Sequence, residues 1–114
     1  MTAGRQALGA HGEALVARWY EEQGYTVLAR NWRVAEGELD LVLGRDRLVV
    51  VCEVKTRSTD RFGSPLEAVT ALKQRRIRRL TALWLSASGH GPCQIRFDVA
   101  AVLRGQLDVV EDAF

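Results

Sequence analysis

Apolar and polar positions change period several times along the chain, and each change marks an element. Over residues 8–23 the period is helical. Leu8, Gly12, Leu15, Val16, Trp19 and Gln23 gather on one side at about 100° per residue, with Glu13 and Tyr20 together on its flank. Gly24 supplies a stop. Strand-like runs follow: YTVLARNWR (25–33), then ELDLVL (38–43) after the turn-like Ala35-Glu36-Gly37, then LVVVCEVKTR (48–57) after GRDR. STDRFG (58–63) is a polar loop. Ser64-Pro65-Leu66-Glu67 has the makings of a capping box and predicts a helix from there to about residue 86, before Gly89 and Gly91. Val69, Leu72, Ile77, Leu80 and Trp84 form its expected core stripe; Lys73 and Arg76 fall inside that stripe, Arg75 and Arg78 away from it. QIRFDVAAVL (94–103) reads as a strand and QLDVV (106–110) as a short last one. The order α-β-β-β-α-β-β predicts an α/β sandwich around a mixed sheet, with residues 1–114 in one domain.

The two strands around GRDR bring chemistry together. A loop centred on Asp46-Arg47 opposes Leu43 to Val50, Leu41 to Cys52, Asp40 to Glu53 and Glu38 to Lys55. One side of this hairpin then reads Leu39, Leu41, Leu43, Val50, Cys52, Val54. The other reads Val42, Val49, Val51, followed by Asp40, Glu53, Glu38 and Lys55. Apolar residues on both sides predict central strands covered on both faces, with the acids at the mouth of one face. Like charges directly opposed destabilise a sheet, and two partly buried carboxylates share a proton or hold a cation. Mg²⁺ suits such a pair: it takes a few carboxylate oxygens and keeps positions for water and phosphate oxygens. A lysine beside it can polarise a water or stabilise charge on a phosphate. The same spacing also fits an exposed ladder, with Glu38 paired to Lys55 and the other two acids solvated.

Composition narrows the setting. Hydrophobic residues make up 47% and charged residues 26%, as in soluble globular proteins, and no apolar run is long enough to span a bilayer. The first residues lack the apolar core of a secretory signal, and two cysteines without metal-type spacing make no disulfide framework, so a reducing cytoplasm is expected. The net charge of +2 conceals a basic segment: residues 55–79 hold eight cations against Asp60 and Glu67. Such a segment hints at a polyanion partner, although a charge run such as KQRRIRR (73–79) on a helix is usually a solvated face. Arg57, Arg33 and Asn31, near strand ends beside the acids, are candidates for phosphate contacts, which position a backbone without reading sequence. His11 and His90 lack spaced partners, and the three tryptophans read as core or half-buried. Asp98 is expected to pair with Arg96 or a neighbouring strand, outside the site.

An acid on a first helix, an Asp on a strand and a following E-x-K strand resemble the PD-(D/E)xK nuclease superfamily. The stretches LGAHGEALVARWYEEQGY (8–25), ARNWR (29–33), GELDLVL (37–43), VVVCEVKTR (49–57), FGSPLEAV (62–69), Lys73, RFDV (96–99) and DAF (112–114) occur in the order of the bacterial YraN family, small proteins similar to archaeal Holliday-junction resolvases. The resemblance implies a restriction-endonuclease-like fold and a metal-dependent endonuclease hydrolysing phosphodiester bonds in branched or structured DNA. It also implies a homodimer, because a four-way junction takes two symmetric cuts. By position, Glu13 corresponds to the helix acid, Asp40 to the metal-binding Asp (Leu39 stands where the superfamily's Pro would be), and Glu53 and Lys55 to the E-x-K pair. The implied catalytic set is Glu13, Asp40, Glu53 and Lys55. Mg²⁺, or Mn²⁺, would be held by Asp40, Glu53 and the Val54 carbonyl, with Glu13 assisting directly or through water. Lys73 is the position on the basic helix that the resemblance also marks. From the residue pattern alone, Glu13 is an ordinary solvated helix residue. Two rival classes are a nucleic-acid-binding protein that keeps the fold without cutting, and a membrane- or protein-surface module using the basic helix 66–86.

Overall fold

The computed structural model describes the backbone of residues 2–57 and 65–114 and the side chains of 10–57, 66–67 and 69–114. Helix α1 (Thr2–Glu21) leads into strands β1 (Thr26–Val34), β2 (Gly37–Arg45) and β3 (Leu48–Arg57); a 3₁₀ turn (Pro65–Ala68), helix α2 (Ala71–Ser88), β4 (Gln94–Leu103) and β5 (Gln106–Val110) follow. The strands form one five-stranded sheet in the order β1-β2-β3-β4-β5. All neighbours pair antiparallel except β3 and β4, which run parallel across the α2 connection. This is the expected α-β-β-β-α-β-β sandwich around a mixed sheet. No helix among the described residues is long and apolar enough to cross a membrane.

Each face of the sheet carries its own core. Val16, Ala17 and Tyr20 of α1 pack on Leu41, Leu43, Val50, Cys52, Val54, Ala100 and Val102. Ile77, Leu80 and Trp84 of α2 pack on the other face with Leu39, Val42, Val49, Val51, Phe97 and Val99. Both central strands are therefore covered on both sides, as their apolar runs require.

The buried face of α1 is rotated from the expected one. Tyr20, expected on the flank, is fully buried, whereas Gln23 is exposed beyond the helix end. Chemistry explains the rotation: the Tyr20 hydroxyl donates to Asp98 at 2.5 Å, and Arg96 grips the same carboxylate with Nε and Nη2 at 2.9 and 2.8 Å. Burial, Cys52 and the Asp98 carboxylate hold the Tyr20 phenol well above its usual range, so it remains a donor. Asp98 is thus paired with Arg96, as expected, and lies at the centre of the α1-side core.

Helix α2 starts later than expected. The 3₁₀ turn ends at Ala68, and Thr70 in extended conformation is the cap, its side chain accepting from the Lys73 N–H at 3.3 Å. Ser64, the expected cap, lies outside the described residues. The interruption lets Val69 drop into the core while a new helix begins. Of the expected stripe Val69, Ile77, Leu80 and Trp84 are buried, joined by Thr81, but Leu72 is 59% exposed, and Lys73 and Arg76 are exposed rather than within the stripe.

The β2–β3 hairpin keeps the expected register from Arg45↔Leu48 to Leu41↔Cys52 and then stops. The expected pairs Asp40–Glu53 and Glu38–Lys55 do not form in the ladder. The side-chain assignment also changes: Leu39, expected beside Leu41, packs with Val42 on the α2 side. Its neighbour β1 shows the same slip, since Ala29 and Trp32 both pack on that side although alternation would separate them. Between them sits Asn31 at φ 48, a left-handed residue inside a strand. The slip in phase turns Leu39 toward α2 and Glu38 and Asp40 toward α1.

Candidate functional site

Where the ladder stops, a side chain takes over as acceptor. The Asp40 carboxylate accepts the Val54 backbone N–H at 2.8 Å, holding the ends of β2 and β3 at a fork. Burial raises the Asp40 pKa, and Glu38 adds to the rise, against the opposing pull of the Val54 N–H and the Lys55 ammonium. Glu53 keeps the regular alternation of β3 and sits beside this fork. Burial, then the Asp40 charge, pushes its carboxyl up to about 8, with the Asp40 N–H and Lys55 opposing. Its Oε2 is buried and has no hydrogen-bond partner.

Helix α1 brings Glu13 to the same place. Oxygens of Glu13, Glu38 and Asp40 all lie within 4.8 Å of one another. Burial, then Asp40, raises the Glu13 pKa; a hydrogen bond from the Asn31 side chain and the nearby Arg30 lower it. The close approach of the helix depends on Gly12. A Cβ there would stand 2.0 Å from Thr56 Oγ1 on β3, one residue past Lys55. Only a hydrogen at that position lets α1 lie so near the strand.

The structure therefore brings Glu13, Asp40, Glu53 and Lys55 to one fork, though not as an opposed ladder pair. Asn31 engages Glu13. Arg33 is held by Glu38, with Nε at 2.7 Å and Nη2 at 2.6 Å. Glu38 thus pairs with Arg33 rather than competing for Lys55. Arg57 ends β3, half-buried, and Lys73 sits in the first turn of α2, exposed. Two contributors take roles that the residue pattern did not assign. Glu38, expected opposite Lys55, is the third carboxylate of the cluster, as its spacing of two from Asp40 on one strand allows. Gly12 sat in plain view on the apolar side of α1, before Glu13, with nothing to show which strand it would meet.

The donors fit a hard divalent cation. All are carboxylate oxygens, partly buried, and one buried oxygen is unsatisfied; such a group is met by a proton or by a metal ion. Like charges this close raise each other's pKa until one of those arrives.

Residues 12–102 match the Uncharacterised protein family UPF0102, a span that runs from Gly12 through the fork to Val102 in β4. A UPF0102 protein of Rhodococcus jostii is 49% identical over 113 residues, covering 95% of this chain and 96% of its own. One from Frankia alni is 52% identical over 100 residues, covering 88% and 83%. One from a Nocardioides species is 50% identical over 100 residues, covering 88% and 81%. A match over most of the chain, with half of the residues identical, makes this chain a member of the UPF0102 family.

Proposed function

We propose that this protein is a metal-dependent endonuclease that hydrolyses phosphodiester bonds in DNA, with branched or structured DNA as its substrate. The observation that carries the reading is the fork itself: Asp40 fixed on the Val54 N–H beside Glu53, whose buried Oε2 has no partner. Oxygens of Glu13, Glu38 and Asp40 lie within 4.8 Å of one another there with Glu53 beside Asp40, which costs stability unless a cation offsets the repulsion. The resemblance to the YraN family and the PD-(D/E)xK superfamily points the same way.

Mg²⁺ or Mn²⁺ would be held by Asp40, Glu53 and the Val54 carbonyl, with Glu13 assisting directly or through water. When bound, the ion supplies Lewis acidity and offsets charge developing on a phosphate. The protein's own groups do the rest. Lys55, close enough to lower the pKa values of Asp40 and Glu53, orients the attacking water and keeps positive charge at the reacting phosphate. Asn31 steadies the Glu13 carboxylate, and Gly12 sets the depth to which Glu13 reaches. Lys73, Arg57, Arg33 and Asn31 are the candidates for phosphate contact, and Arg33 and Asn31 at the same time hold Glu38 and Glu13 in place. A C2 homodimer would present two such sites for two symmetric cuts.

The test is cleavage of labelled four-way junction, flap, linear duplex, single-stranded DNA and RNA in Mg²⁺, Mn²⁺ or EDTA. Metal-dependent cutting lost in both Lys55→Ala and Asp40→Asn supports the reading. Salt-sensitive binding that survives Lys55→Ala, with no cutting in any metal, refutes it in favour of a binding protein on the same fold.

A further inference from the structure

Four acids at one fork repel a phosphate backbone, so a nucleic acid must be drawn in by cations nearby. Half of the arginines whose side chains are described are already engaged. Arg33 is held by Glu38, Arg79 by Glu36 and Arg96 by Asp98. Arg78 lies over Phe97 at 4.6 Å and donates to the Phe114 carbonyl; Arg45 lies over Tyr25 at 4.2 Å and donates to the Gln23 carbonyl. Arg57 and Lys73 are also not free. Among the described residues, Arg18 and Arg30 enter no ion pair and no side-chain hydrogen bond, and both are exposed.

These two share one feature of the surface. A groove of about 340 Å³ runs between α1 and β1, lined by His11, Ala14, Leu15, Arg18, Glu21 and Arg30. Arg30 ties it to the site: on β1 it pairs with Leu41, the neighbour of Asp40, and it acts on the Glu13 charge. The other uncommitted arginines lie elsewhere, Arg47 at the β2–β3 turn, Arg104 at the β4–β5 turn, and Arg75 and Arg76 on α2 across the sheet. The charge run on α2, the most conspicuous basic feature of the sequence, therefore lies on the face away from Glu13.

We propose that the α1–β1 groove is a phosphate track: Arg18 and Arg30, with His11, hold the nucleic-acid backbone as it leaves the fork. The inference rests on the nucleic-acid reading above and adds the path of the strand. Arginine suits it because its planar fork pairs with phosphate oxygens bidentately. Glu21 at the far end marks where the track stops.

The test uses the full chain in EDTA, so that binding is read without cleavage. Fluorescent four-way junction and a linear duplex are titrated from 20 to 200 mM KCl against wild type, Arg18→Glu/Arg30→Glu, and the control Arg47→Glu/Arg104→Glu. All four positions are exposed, and circular dichroism checks folding. For Arg18→Glu/Arg30→Glu, affinity at low salt is expected to fall at least about tenfold, and the slope of log K against log salt to fall by about 2. The control is expected to stay near wild type. Wild-type affinity and slope in Arg18→Glu/Arg30→Glu, or an equal loss in the control, would overturn the track while leaving the nucleic-acid reading standing. Binding to phosphatidylserine vesicles that is lost in Arg18→Glu/Arg30→Glu while DNA binding persists would overturn it in favour of a membrane surface. Absence of any DNA binding by wild type would remove both the track and the reading beneath it.

Discussion

Glu53→Gln offers the sharpest test of the fork, because its effect on stability carries a definite sign with pH. In the unfolded chain Glu53 loses its proton around 4.5; in the folded protein burial and Asp40 delay that loss to about 8. Between these values the native state binds more protons than the unfolded state, so stability falls as pH rises and the loss is complete above about 8. The interval, at about 1.4 kcal/mol per pH unit, sets a ceiling of about 5 kcal/mol. Asp40 and Glu13 are raised as well and slope the same way. Glutamine carries no charge to bury, so the variant should be more stable than wild type at pH 8 by a few kcal/mol and nearly equal to it at pH 5. Urea unfolding at pH 5, 6, 7 and 8 in EDTA measures this directly, since the midpoint moves with stability at fixed m. Repeating the series in Mg²⁺ should restore stability to wild type increasingly as pH rises, and do little for the variant. Wild-type stability that is level or rises from pH 5 to 8, or a variant with the wild-type slope, would refute the account of a buried carboxylate awaiting a cation.

Other outcomes follow from single contacts. Gly12→Ala drives a methyl into Thr56 Oγ1 and should cost about 1–3 kcal/mol; adding Thr56→Ala should recover part of the loss, read as non-additivity in thermal unfolding. Asp98→Ala strands the buried Tyr20 hydroxyl and the Arg96 guanidinium, and a loss of about 3–5 kcal/mol is expected by chemical denaturation. Thr70→Ala removes the α2 cap and should cost about 1 kcal/mol, whereas Leu72→Ala, at an exposed position, should move the melting temperature little.

The site was legible in part, and the boundary follows from the range of each signal. Asp40, Glu53 and Lys55 could be gathered from the sequence because a short turn fixes hairpin register, and Leu41↔Cys52 and Leu43↔Val50 do pair as expected. The reading failed beyond Cys52 because strict alternation was extended through Leu39. The left-handed Asn31 on the neighbouring strand breaks that alternation, and nothing within β2 announces it. Of the α2 stripe, Val69, Ile77, Leu80 and Trp84 are buried as expected; Leu72 is the departure, because the helix begins at Ala71 after the Thr70 cap and its first turn is exposed.

By itself, the sequence determined what local periodicity and composition control. It determined the order of elements, the two-sided burial of β2 and β3, the turn between them, and the presence of acids and a lysine where that hairpin ends. Hydrophobic burial enforces these, since a strand with apolar residues on both faces has one place in a sheet. Tertiary structure alone decided which acids meet. Glu13 reaches Asp40 because Gly12 lets α1 rest on Thr56. Glu38 joins them because alternation breaks between Leu41 and Leu39 on β2, beside the left-handed Asn31 of β1. Arg18 and Arg30 share a groove because α1 crosses β1. Contacts between residues far apart in the chain depend on where whole elements pack, and local patterns carry no record of that choice.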